Sequence, residues 1–194
     1  MVEQQARRRT RRGVAALPAL VAVLVLVVAG CGKSADQKAN EAYANSVCTA
    51  IGDWETQVKS VVTDLSSSSS SGSLSKASLQ SKMTQVESAT RTLVTQIKAV
   101  PPPNTSEGTA AKQQIDQLST EVTTTVNSVK SAVTQIPSGA SAATIASTLV
   151  PLAPQVKSLA STAESTVKTV ENAGGSLSDA FKSTDSCKSL TGNG

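Results

Sequence analysis

The chain has 194 residues and no histidine, with 18 basic and 14 acidic side chains. The missing histidine excludes Ser-His-Asp and Cys-His nucleophile pairs and imidazole-based metal sites. Its net charge of +4 is local, because the first thirty residues hold five arginines and one glutamate. The remainder carries 13 basic and 13 acidic residues with no Lys/Arg run, so neither a nucleic-acid partner nor an electrostatic membrane-binding surface is expected.

Arg7, Arg8, Arg9, Arg11 and Arg12 precede an apolar stretch from Val14 to Ala29, which ends in the small residues Ala29 and Gly30. A positive start, an apolar middle and a small-residue cleavage site make a secretory signal over residues 1–30. An uncleaved signal anchor is the competing reading, although the stretch falls short of the ~20 residues that span a bilayer. Val28-Ala29-Gly30-Cys31 resembles the lipobox of bacterial lipoproteins. That resemblance implies a diacylglyceryl group on the Cys31 thiol and cleavage between Gly30 and Cys31. Two acyl chains suffice for stable anchoring, at about 0.8 kcal/mol per buried methylene. Residues 31–34 would then form a lipid-anchored tether. Thr10-Arg11-Arg12-Gly13-Val14 also resembles a twin-arginine export signal, which leaves the export route open.

With Cys31 lipidated, two of the three cysteines remain, and outside the cytoplasm they can pair. A Cys48–Cys187 disulfide is expected; two buried thiols are the alternative.

Beyond residue 34 the apolar spacing is helical. The first stripe is Tyr43, Val47, Ile51, Trp54, Val58, Val61 and Leu65. The second runs Leu79, Met83, Val86, Leu93, Ile97 and Val100, with Thr90 filling one turn. Ala111, Ile115, Leu118, Val122, Val126, Val129, Val133 and Ile136 make the third. Ile145, Leu149, Leu152, Val156, Leu159, Ala163, Val167 and Val170 make the fourth. Steps of three and four put each set on one helix face. Ser34 to Gln37 reads as a capping box, and Asn104 with Glu107 as another. Ser66 to Ser73 reads as a flexible connector. Glu55/Lys59, Glu87/Arg91 and Glu164/Lys168 are favourable i, i+4 pairs. Helices are therefore expected over about 35–65, 74–100, 105–136 and 141–173, the last kinked or split by Pro151 and Pro154. A short helix over 177–187 would dock on the first through Leu177 and Phe181, with Gly52 left small for its approach. The expected fold is all-α: residues 35–194 form an up-down-up-down four-helix bundle with the short C-terminal helix packed back on the first.

No catalytic constellation, metal site or cofactor motif stands out, so the chain is not expected to be an enzyme. Asp53 and Glu55 flank Trp54, but helix neighbours do not share a face. Trp54 reads first as a core residue and, more sharply, as a partly exposed ligand-binding anchor. Tyr43 could bury its ring and keep its hydroxyl at the rim. The region after the leader is similar to small Ser/Thr/Ala/Val-rich helical secreted proteins of actinobacteria, on the strength of Cys48-Thr49-Ala50-Ile51 and the late Cys187. These readings imply a non-enzymatic binding or scaffolding lipoprotein on the outer face of the cytoplasmic membrane. It would be anchored by Cys31 and meet a protein partner of the envelope. A carrier of a small apolar ligand or lipid is the alternative.

Overall fold

The computed structural model describes residues 33–192, so the expected leader and the expected lipidation site Cys31 lie outside the described residues. Every regular element described is helical: α1 Ala35–Ser70, α2 Lys76–Ala99, α3 Ser106–Gln135, α4 Ala142–Leu149, a 3-10 turn Val150–Leu152, α5 Ala153–Glu171, α6 Gly175–Ser183 and α7 Asp185–Thr191. No described helix is long and apolar enough to cross a membrane.

The helix ends follow from local chemistry. Ser34 caps α1 through Gln37 N–H, and the Gln37 side chain returns the bond to Ser34 N–H. Beyond Leu65 the serines continue α1 for another turn instead of forming the expected connector. Ser66 and Ser70 fold their hydroxyls onto the Val62 and Ser66 carbonyls, bonds that compete with water for otherwise poor helix formers. The helix stops where Gly72 takes φ 68°. Ser73 N–H then reaches the Ser68 carbonyl and Gly72 N–H the Ser69 carbonyl, the paired bonds of a Schellman end.

The cap of α3 falls one residue later than expected. Thr105, not Asn104, accepts Gly108 N–H at 3.0 Å. Lys76 from α2 donates to the Thr134 and Ile136 carbonyls at the other end of α3, whose last turn has no basic residue of its own. Pro151 and Pro154 split the fourth stripe into α4, the 3-10 turn and α5, with a proline in the first turn of α5. A proline there loses nothing, because its N–H would be unpaired anyway.

The expected single helix over 177–187 is broken into two. Thr184 is extended (φ −77°, ψ 126°). Its N–H and hydroxyl both close on the Ala180 carbonyl, and its own carbonyl starts α7 by accepting from Cys187 and Lys188.

α1 packs on α2, α6 and α7; α2 on α3; α3 on α5; and α5 on α6 and α7. These contacts close a ring around one core that draws on all four stripes. Tyr43, Val47, Ile51 and Trp54 meet Leu93, Ile115, Val122, Val167 and Phe181 in that cluster. The Glu55–Lys59 and Glu164–Lys168 pairs form. Glu87, however, turns from Arg91 to Lys130 on α3, at 2.7 Å. A cross-helix partner lies within its reach, and an i, i+4 pair is worth only about 0.3–0.5 kcal/mol.

Candidate functional site

The most ordered chemistry lies where α6 and α7 close on the first half of α1. Cys48 shares the inward face of α1 with Ala44, Val47 and Ile51, and all four are completely buried. Cys187, in the first turn of the short α7, meets it. The two sulfurs are bonded, with Cα atoms 5.0 Å apart and a sequence separation of 139. Leu177 and Phe181 are both buried under α1. Phe181 meets the Tyr43 ring edge-on, with centroids 6.2 Å apart.

Tyr43 is 3% exposed. Burial, and secondarily the Asp116 carboxylate, push its phenol up to about 12. Trp54 is 2% exposed, and its indole N–H donates to Thr90 Oγ1 at 3.1 Å. The indole is thus a packed core residue with its polar handle satisfied. Tyr43 and Trp54 do not share a site: one belongs to the α1–α6 contact, the other to the α1–α2 contact.

Several polar residues enter the core that the apolar stripes do not announce. Asn40 is buried and donates from Nδ2 to Ser176 Oγ at 2.9 Å. Ser178 is buried and donates to the Glu171 carbonyl. The Glu171 carboxyl is itself buried at the end of α5. Desolvation raises its pKa, against the pull of Lys168 and Lys182 and a hydrogen bond from Thr191. Glu107 behaves in the opposite way. Its own backbone N–H, then Thr105 and Ser106, hold its carboxyl below the usual range. A Cβ on Gly175 would lie 3.1 Å from Glu107 Oε1. The two positive-φ glycines, Gly174 and Gly175, therefore bring the start of α6 against the start of α3.

Surface grooves lie between neighbouring helices of the described residues. One, about 250 Å³, runs between α1 and α2 beside Trp54. Another, about 600 Å³, lies between α3 and α5 and is walled by Thr120, Thr124, Thr125, Ser158 and Thr162, with Leu159 at its base. Large apolar side chains are exposed at Val62 and Val150, the latter 70% exposed in the 3-10 turn. Among the described residues no group of three or more Cys, Asp or Glu could hold a metal ion.

No protein-family model matches the chain, no curated protein is similar to it, and no solved structure matches its fold.

Proposed function

We propose that the chain is an extracytoplasmic lipoprotein, held on the outer face of a bacterial cytoplasmic membrane by Cys31. Its helical domain binds or scaffolds a protein partner of the envelope and catalyses no reaction. The observation that carries this reading is the use of the cysteines. Cys48 and Cys187 are spent on a buried disulfide, a bond that persists in oxidising compartments. Cys31 is left at the end of a secretory leader, in a lipobox-like run. The four long helical stretches, with α4 and α5 together as the fourth, are read as an up-down-up-down bundle. The succession of contacts from α1 to α2, α2 to α3 and α3 to α5 supports that reading.

Packing favours the scaffold over the carrier of an apolar ligand, because the rings of Trp54 and Tyr43 are both committed to neighbouring helices. Fractionation of cells producing the wild type and Cys31→Ser tests the anchor. The wild type should sediment with membranes and the variant should be released; a variant that stays membrane-bound and uncleaved sinks the lipoprotein reading. Photo-crosslinking from Val150, the most exposed large apolar side chain among the described residues, should trap one defined envelope protein. A scatter of random neighbours would remove the case for a partner.

A further inference from the structure

We propose that the groove between α1 and α2 beside Trp54 binds a small organic ammonium ion, an amine with an apolar body of a few carbons. The groove is built from the same spacing on both helices: Ala50, Asp53, Trp54 and Gln57 on α1, and Ala89, Thr92, Leu93 and Gln96 on α2, with Thr56 at the edge. Residues at i, i+3, i+4 and i+7 share a helix face, so each helix contributes one small residue, one large apolar residue and two polar ones. The buried alanines leave the depression, and only the edges of Trp54 and Leu93, which are otherwise buried, reach its floor. Its volume of about 250 Å³ lies below the usual range for drug-sized ligands, about 300–1,000 Å³, which sets the size class.

Charge sets the rest. Asp53 is the only charged side chain lining the groove, and no Lys or Arg does so. Glu55, its neighbour but one, is bound to Lys59 at 2.6 Å, whereas Asp53 makes no ion pair or hydrogen bond among the described residues. The side chains of Thr56, Gln57, Thr92 and Gln96 are equally uncommitted, in contrast to Thr63 and Thr84, which fold onto their own helix backbone. An anionic occupant would meet Asp53 with like charge. A purely apolar one would strip water from that carboxylate without replacing it, which is costly. An ammonium group can donate to Asp53 and to the amide and hydroxyl oxygens around it while its carbons cover the floor. This proposal does not depend on the lipid anchor.

Trp54 is the only tryptophan in the chain, so it reports on its own groove. The purified protein is titrated with phenethylammonium, with phenethyl alcohol of the same shape, and with phenylacetate. Trp54 emission and the amide shifts of Ala50, Ala89 and Thr92 are followed. The ammonium ion should bind saturably and about fivefold more tightly than the alcohol, the range of a solvent-exposed ion pair; added salt should erase the difference, and phenylacetate should bind most weakly. Asp53→Asn, at an exposed position, should equalise ammonium and alcohol while leaving the emission of the free protein unchanged. Equal binding of ammonium and alcohol to the wild type overturns the proposal. So do an Asp53→Asn variant that still prefers the ammonium, shifts confined to the α3–α5 groove, or no saturable response.

Discussion

Replacing Gly52 and Gly108 by alanine, one at a time, should move stability in opposite directions. Both glycines lie in helices with ordinary backbone angles, so neither is there for conformational freedom. A Cβ on Gly52 would sit 3.7 Å from Leu190 Cδ2, an ordinary contact. Alanine then gains its helix-propensity advantage of about 0.8–1.0 kcal/mol, and α7 need not move. A Cβ on Gly108 would lie 2.1 Å from the Pro103 carbonyl oxygen and 3.0 Å from its carbon, both backbone atoms. That carbonyl is held in place by Thr105 N–H at 2.8 Å, so it must retreat by roughly 1 Å and strain that bond. Overpacking costs about 1–3 kcal/mol and a lost backbone hydrogen bond about 1 kcal/mol. Less the propensity gain, Gly108→Ala should lose about 1–3 kcal/mol. At about 2–4 °C per kcal/mol for a domain of this size, thermal unfolding followed by the helical circular-dichroism signal separates the two. The Gly52→Ala midpoint should rise by a few degrees and the Gly108→Ala midpoint fall by more. A Gly108→Ala protein as stable as the wild type would refute the crowding at Pro103. A destabilised Gly52→Ala would restore the expectation that Gly52 must stay small for the C-terminal segment.

Reducing the Cys48–Cys187 bond, or replacing both cysteines by alanine, should lower stability by up to about 5 kcal/mol in the chain-entropy model for a 139-residue separation; denaturant titration measures it, and two free thiols from these positions in the unreduced denatured protein would contradict the bond. Thr90→Val leaves the buried Trp54 N–H without its acceptor and should cost about 1–3 kcal/mol; a double-mutant cycle with Trp54→Phe should recover most of that loss, and additive effects would show that the hydrogen bond contributes nothing. Tyr43, the only tyrosine, should ionise near pH 12. The folded pKa lies above the unfolded value of about 10, so this contribution is intact below pH 10 and roughly 2–3 kcal/mol is lost as pH rises toward 12. A tyrosinate absorbance titration of the folded protein with its midpoint near 10 would disprove the burial.

Helical periodicity was readable because nearly every apolar step had one solution. Val47, Ile51 and Trp54, or Ile115, Leu118 and Val122, can share a surface only at 3.6 residues per turn, and all six are buried. The ends were harder to read. Ser66 to Ser70 carries the composition of a connector, yet helix or coil there depends on hydroxyls finding the i−4 carbonyls, which composition does not encode. Thr184 breaks the last helix because Cys187 must meet Cys48 while Phe181 meets Tyr43, a tertiary demand with no local signature. Asn40, Ser178 and Glu171 were missed for the same reason: each is buried with partners on another helix or turn. A signal did exist for Asn40, three residues before Tyr43 and four before Ala44, hence on the face of α1 that enters the core. Thr90 offered a similar one as the polar member of an apolar stripe, and Trp54 takes it as acceptor.

The disulfide and the aromatic residues answer one weakness of the composition. Serine and threonine are mediocre helix formers, and isolated helices shorter than about 12–15 residues are marginal in water. With 9 and 7 residues, α6 and α7 are the shortest such pieces apart from α4. Among its side chains α7 buries only Cys187 and Thr191, too little apolar area to hold so short a helix in place by itself. Tyr43, Trp54 and Phe181, the chain's whole aromatic complement, are all buried. Two of the three, Tyr43 and Phe181, pack at the α1–α6 contact, with Phe181 two residues from the end of α6. The covalent link then fixes α7 directly above that contact, so the clasp concentrates on one stretch of α1 the large-area burial that the Val- and Ala-rich stripes elsewhere supply only in small increments.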